Sequence, residues 1–254
     1  MIDSQHPRAA SLKIRDQLVW GVEQGITSTH GLIAQGRGEA FDYLIAEKTH
    51  DFAKKAIEIS AALLLRANYP VLSVNGNSVV LAAEEYIKLA ELLDCPIEIN
   101  LFHRTLEREK AIQKYLKKVG AKKIVGVGDD ASVEIKGIAS KRKFVSPQGI
   151  DKADVVFVPL EDGDRTEALI KAGKKVITID LNPLSRTAQK ATITIIDNII
   201  RAMPNLITKI KEYKEKDKKT LKTISDKYDN KKILLEAITK IRNSDVFLEN
   251  NHLI

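Results

Sequence analysis

Arg37 stands between Gly36 and Gly38 in the stretch HGLIAQGRGEAFDYLIAEKT, residues 30–49, a pattern suited to holding a phosphate. Glycine on either side lets the backbone bend closely around an anion, while a guanidinium offers several donors in a fixed fork. The run from Glu39 to Lys48 reads as the helix that follows, and its first-turn amides would add to an anion site. On spacing alone, the same residues also describe a glycine turn whose arginine faces water.

DLNPLSRT, residues 180–187, is a second candidate. A strand ending in Asp180, Leu181 and Asn182, a proline-stiffened turn, then Ser185, Arg186 and Thr187 opening a short helix would aim amides, hydroxyls and a guanidinium at one anion. Asn182 can both donate and accept, which suits a ribose or adenine edge. The plainer reading is a β-to-α turn capped by Asn182 and Ser185. His103 and Arg104 close a predicted strand, either as proton carrier and anion clamp or as structural hydrogen-bonding groups. GVGDDA, residues 126–131, matches the loose dinucleotide pattern, and with it an NAD(P)-dependent oxidoreductase. The residues after it lack helical apolar spacing, and paired aspartates would repel a pyrophosphate, so that reading is weak. No Walker-type phosphate loop occurs, and His6, His30 and His50 show no metal-ligand spacing.

The elements that must position these residues follow from hydrophobic period. The first seventy residues read as helical, with Leu12, Arg15, Val19 and Val22 at helical spacing and a helix over 51–68 capped by Asp51. After Pro70, short β-branched runs at 71–74, 97–102, 123–127, 155–160, 176–181 and 192–196 alternate with helices over 78–93, 105–119 and 165–172 and one starting near Asn198. Such alternation predicts an α/β fold with a Rossmann-like, doubly wound, mostly parallel sheet. Ligands in such sheets bind beyond the carboxyl ends of the strands. The connection from Asp129 to Lys152 reads as long and irregular, with Lys141, Arg142 and Lys143 as a solvated surface turn.

Composition narrows the classes. A chain of 254 residues with 44% hydrophobic content can bury a full core. The apolar runs are too short for a bilayer span and the opening MIDSQHPRAA lacks a signal-peptide core, so no membrane partner and a cytoplasmic location are expected. One cysteine, Cys95, suits a reducing compartment and reads as a buried filler. The net charge of +7 raises the class of basic nucleic-acid-binding modules. From Asn205 onward, however, 12 Lys and Arg stand against 8 Asp and Glu, interleaved with Leu206, Ile210, Tyr213, Leu221 and Ile224 as in a solvated helix with one packed face. No nucleic-acid signature is present, and none is expected as a partner.

GLIAQGRGEAFDYLIAEKT resembles the signature of the archaeal phosphopantothenate synthetases, the 4-phosphopantoate:beta-alanine ligases. HPRAASLKIRDQLVWGVEQGI, residues 6–26, precedes it at the family's distance, and DLNPLSRTAQKATITIIDNIIRAMPN, residues 180–205, resembles the family's late nucleotide-binding block. The resemblance implies an enzyme that condenses 4-phosphopantoate with beta-alanine using ATP and Mg²⁺, through an acyl adenylate, on the route to coenzyme A, and a homodimer. It carries the ATP site onto Asp180, Leu181, Asn182, Arg186 and Thr187, with Asn198 and Ile199 and with Arg15 and Arg37. Such chemistry needs cationic clamps and water exclusion more than a nucleophile. By residue type, Arg37, Lys48, His103 and Arg104 are the catalytic candidates, and Asp180 or Asp197 the candidate Mg²⁺ ligands. The expected division is an ATP-binding ligase domain over 1–204 and a helical extension over 205–254, and nothing functional is carried onto that extension.

Overall fold

The structure is a computed structural model that describes residues 8–243; His6 and residues 244–254 of the expected extension lie outside the described residues. In chain order the strands are β1 (Pro70–Val74), β2 (Ile97–Ile99), β3 (Ile124–Val125), β4 (Val133–Glu134), β5 (Phe144–Val145), β6 (Val155–Phe157), β7 (Lys175–Ile179) and β8 (Ile193–Ile195). The helices are α1 (Ala9–Glu23), α2 (Thr29–Leu44), α3 (Asp51–Arg66), α4 (Gly76–Leu93), α5 (Leu106–Val119), α6 (Gly163–Lys171), α7 (Arg186–Lys190), α8 (Ile199–Tyr213), α9 (Lys218–Ser225) and α10 (Asn230–Arg242).

Short Val- and Ile-rich runs that bury both faces need helices on both sides of a parallel sheet. The six expected runs form one such sheet in the order β3-β2-β1-β6-β7-β8, with every neighbouring pair parallel. Leu72 at its centre pairs with Ile97 on one side and Phe157 on the other. The order reverses between β1 and β6, so successive crossovers wind away in opposite directions and leave a crevice at the carboxyl ends of those two strands. The main core packs α3, α4 and α8 on one face of the sheet; a smaller cluster on the other contains Ile135, Ile138, Val145, Ile150 and Leu169.

Several local expectations are corrected. In α1 the buried residues are Ser11, Ile14, Leu18 and Gly21, one position off the Leu12, Arg15, Val19 stripe. Gly21 belongs to that stripe because it lies directly against Val80, where a Cβ would come within 2.5 Å of the valine. The helix expected to begin at Glu39 begins at Thr29, so Gly36, Arg37 and Gly38 are helical rather than a loop. Two glycines cost a helix roughly 2 kcal/mol, and α2 bears that cost through packing on α1 and α4 and a buried polar anchor at its far end, described below. His50 occupies the N-cap position of α3 and Asp51 its first turn. The segment from Asp129 to Lys152 contains an antiparallel ribbon, β4 paired with β5. The junction expected at 204–205 falls inside α8, whose buried Met203, Leu206, Ile207 and Ile210 form one continuous face.

Candidate active site at the sheet's switch point

A cavity of about 780 Å³ opens over the crevice between β1 and β6. Doubly wound topology points the helix following each strand with its N-terminus toward this side, and here the N-cap residues of α2, α4, α6, α7 and α8 all line the wall: Ser28, Asn75, Asp162, Ser185 and Asn198. The aligned dipoles of these helices give the cavity positive potential before any charged side chain is counted.

The loops are fixed in place by side-chain hydrogen bonds. Asn75 caps α4, accepting from Ser78 N–H at 3.0 Å, and its Nδ2 donates across the crevice to the carbonyls of Pro159 and Leu160 at 3.1 and 3.0 Å. That clamp holds Leu160 at φ 56°, a left-handed conformation that costs a branched residue free energy and is typical of a functional loop. Gly76 is required by close approach, since a Cβ there would lie 2.5 Å from Ile26 O and 2.8 Å from Thr27 Cα. Ser185 caps α7 and donates to Asp180 Oδ2. Asn198 Nδ2 donates to Asp42 Oδ2 at 2.8 Å, while Arg201 bridges Asp42 and Asp197. Thr49 Oγ1 completes this network on Asp197 at 2.6 Å, so α2 is tied at its C-terminal end to the start of α8.

Of the residues singled out from sequence, Arg37, His103, Asp180, Leu181, Asn182, Arg186, Thr187, Asn198 and Ile199 meet on this one wall. Arg37 projects from the middle of α2, exposed and without an ion pair among the described residues, and its charge acts on Asp180. Burial raises the Asp180 carboxyl above its ordinary value, against the opposing pull of Ser185, the Asn182 N–H and Arg37. Arg186 lies on the rim, paired with Glu167 at 2.6 Å; with Lys171 it pulls that carboxyl down to about 2. His103 stacks on His30 with ring centroids 4.6 Å apart.

Four expected residues do not join the wall within one chain. Arg15 is exposed and forks onto Glu39 at 3.1 Å. Lys48 is exposed beyond the end of α2. Arg104 is spent on structure: it pairs with Glu109 and donates to the carbonyls of Phe144 and Gly126 at 2.9 and 3.1 Å. Asp197 is fully buried in the Arg201 network and does not face the cavity. GVGDDA forms a 3-10 turn rather than opening an α-helix, and with that the dinucleotide reading has no support.

The structure also brings in residues the sequence concealed. Arg142, expected in a solvated turn, has a side chain only 6% exposed; it lines the cavity and pairs with Glu161 and with Asp162, at 2.6 Å from the latter. Arg165, fully buried, pairs with the same Glu161 and reaches Ser73 Oγ at 3.3 Å. Burial pushes both guanidinium groups down to about 10. Arg108, in the first turn of α5, donates to His103 O at 2.6 Å and Ile26 O at 3.0 Å. Its Nε is buried without a partner, no carboxylate among the described residues pairs with it, and burial alone lowers its pKa. A Cβ on Gly76 would lie 3.1 Å from Arg108 Nη2, which sets this guanidinium against the first residue of α4. An arginine at the third residue of a charged helix carries no sequence mark of this position; only the fold supplies it.

A profile of the phosphopantothenate/pantothenate synthetase family matches residues 52–244. The chain is 49% identical over 241 residues to a protein of Methanosarcina mazei named 4-phosphopantoate–beta-alanine ligase, covering 95% of this chain and 94% of that one. A protein of the same name from Thermococcus kodakarensis is 48% identical over 241 residues, 95% of this chain and 92% of its own length. A third, from Methanospirillum hungatei, is 50% identical over 206 residues, 81% and 83% of the two chains.

Proposed function

The chain belongs to the phosphopantothenate/pantothenate synthetase family, and from that premise we propose that it is the ligase that joins 4-phosphopantoate to beta-alanine through an amide bond, in coenzyme A biosynthesis. ATP drives the reaction in this reading. The 4-phosphopantoate carboxylate attacks the α-phosphorus of ATP, diphosphate leaves, and the acyl adenylate then loses AMP to the amine of beta-alanine. The observation that carries the reading is the convergence of five helix N-caps with Arg37, Arg186 and the Asp180–Asn182 strand end on one cavity. That wall supports a nucleotide: Asn182 and Asn198 suit the ribose and base, and Arg37 and Arg186 the phosphates.

No group of three His, Cys, Asp or Glu gathers as a metal cage among the described residues, which fits an Mg²⁺ that rides on phosphates and borrows one protein carboxylate. Asp180 fits that part, because each of its oxygens accepts only one hydrogen bond, from Asn182 N–H and Ser185 Oγ. Bound there, the ion would offset charge on the phosphates. Arg108, set against the head of α4, has a desolvated charge without a counter-ion among the described residues, which supports placing the phosphate monoester of 4-phosphopantoate there. No helix among the described residues is long and apolar enough to cross a membrane, in keeping with a cytoplasmic enzyme. Exposed Val19 and Trp20 on α1, with Ile33 and Tyr43 on α2, support a homodimer interface on that face. Arg15 stands beside the same face, and we keep it as a nucleotide-binding candidate.

The test is release of AMP from ATP that requires both 4-phosphopantoate and beta-alanine. AMP release without either substrate, or release of ADP in its place, would refute the assignment.

A further inference from the structure

Three carboxylates line the cavity, those of Glu161, Asp162 and Asp180. Two are engaged. Glu161 is held between Arg142 and Arg165 and accepts the Asp162 N–H at 2.8 Å, with 1% of its side chain exposed. Asp180, half-buried, takes one hydrogen bond on each oxygen and is assigned above to the Mg²⁺ on the phosphates. Asp162 is different. Its Oδ2 accepts from Arg142 Nη1 at 2.6 Å, its Oδ1 accepts nothing from the described residues, and 49% of its side chain is exposed.

Its position is fixed rather than casual. Asp162 sits at the N-cap of α6, yet its carboxylate does not turn back onto the helix amides as a capping aspartate would. The main chain is pinned on both sides, by the bond to Glu161 and by Thr166, whose N–H and hydroxyl both reach Asp162 O at 3.0 Å. The residue lies in the β6–α6 connection at the switch point, and besides the carboxylates of Glu161 and Asp180 the charged side chains on the wall are cationic: Arg37, Arg108, Arg142 and Arg186. Such a wall receives phosphates and carboxylates and repels an ammonium. Asp162 Oδ1 is the carboxylate oxygen there that accepts no hydrogen bond from the described residues.

We propose that Asp162 receives the ammonium group of the amine substrate and takes its proton as it becomes a nucleophile. The assignment rests on the ligase reading above. The ammonium gives one proton to Asp162 Oδ1, and the free amine forms a C–N bond to the acyl carbon of the adenylate. The bond from the acyl carbon to the phosphate oxygen breaks as AMP leaves with the bonding pair, and the adduct gives its second N–H proton to water. The half-exposed carboxylate passes the first proton to water. Arg142 keeps Asp162 in place and is a positioning residue in this step.

Asp162→Asn keeps an oxygen for Arg142 and removes the charge. Two assays separate the half-reactions: exchange of labelled diphosphate into ATP dependent on 4-phosphopantoate, and hydroxamate formation with hydroxylamine, which attacks as a neutral molecule and needs no ammonium grip. The expected result is a loss of beta-alanine-dependent turnover of about 10²-fold or more, a raised KM for beta-alanine, retained exchange and hydroxamate formation, and partial rescue by Asp162→Glu. An unchanged response to beta-alanine overturns the proposal. So does an equal fall in exchange or a shifted Mg²⁺ requirement, either of which would make Asp162 a nucleotide or metal residue. Failure of the unsubstituted enzyme to show either half-reaction refutes the adenylate chemistry itself, and the assignment with it.

Discussion

The aliphatic part of Arg186 runs over Gly163, where an added Cβ would lie 2.5, 2.6 and 2.9 Å from the arginine's Cβ, Cγ and Cδ. Gly163→Ala must therefore displace Arg186 from the rim, and because the clash is with the stem of the side chain, it cannot be relieved by rotating the guanidinium alone. The expected outcome is a KM for ATP raised on the order of tenfold, as for a lost phosphate clamp, with little change in melting temperature. Unchanged ATP saturation would remove Arg186 from the nucleotide site. Arg108→Gln probes the place proposed for 4-phosphopantoate. Gln can still donate to a carbonyl but brings no charge, so the KM for 4-phosphopantoate should rise by about 10-fold or more with ATP affinity nearly kept; a rise confined to ATP would reverse the two assignments. At this scale the sequence was legible where a residue stood in a local pattern. Arg37 and the strand end in DLNPLSRT were singled out that way, and both line the cavity. Arg108, Arg142 and Arg165 were hidden because a long cationic side chain in a charged stretch reads as solvated, and only tertiary placement reveals that Arg142 and Arg165 are buried and Arg108 half-buried.

Among the elements, the β4–β5 ribbon shows how a loop becomes part of the wall. Its connecting turn inserts Arg142 between Glu161 and Asp162, and Asn100 Nδ2 holds the turn through Arg142 O and Phe144 O at 3.1 and 3.2 Å. Arg142→Met leaves Glu161 with one cation in place of two and should cost about 3–5 kcal/mol of stability, measurable by denaturant unfolding; a change below about 1 kcal/mol would mean that the turn is solvated after all. Beneath the ribbon, Glu98 of β2 is fully buried and accepts backbone N–H groups from Ile150 and Ser146, at 2.6 and 3.4 Å. Burial lifts its carboxyl from 4.5 to about 7, even though those two bonds favour the charged form. Between those values the folded chain keeps a proton that the unfolded chain has released. Stability is therefore highest below about pH 4.5 as far as this group is concerned, and falls as pH rises to about 7, by on the order of 3 kcal/mol. Glu98→Gln should flatten the melting-temperature profile between about pH 5 and about pH 8, and persistence of the slope would exclude Glu98 as its source. All six sheet strands were legible from apolar runs, because a strand covered on both faces has few other ways to be written. The ribbon was not, since two-residue strands carry no period. The start of α2 was misplaced because glycine was read as punctuation, while a packed helix tolerates it at modest cost.

For the molecule as a whole, the open question is why a site built by β1, β6 and β7 needs a C-terminal extension. β8 is the last strand of the sheet, and its outward edge would be left with unpaired backbone groups. The extension covers it: Thr194 N–H is accepted by Asn230 Oδ1 at 2.9 Å and by Tyr228 OH at 3.2 Å, and Tyr228 OH donates back to Thr194 O at 3.3 Å. Asn230 Nδ2 also donates to Ala188 O at 2.8 Å, which buttresses α7 from behind the wall that carries Arg186 and Thr187. Meanwhile α9 and α10 pack on α3, so the edge, the cavity wall and the main core share one support. The amphipathic spacing of this region was readable, and Leu206, Ile210, Tyr213 and Leu221 are buried as expected; its task was not, because two polar groups aimed at a strand edge leave no hydrophobic trace. Asn230→Ala should lose about 1–3 kcal/mol by leaving Thr194 N–H and Ala188 O short of partners, with kcat nearly unchanged. Removing everything from Tyr228 onward should go further, lowering the melting temperature and yielding higher-mass species at raised protein concentration as bare β8 edges pair. ATP should still bind to whatever fraction remains folded and unassociated. A truncated chain that stays folded and monodisperse yet loses ATP would mean that the extension serves the chemistry directly rather than guarding the edge.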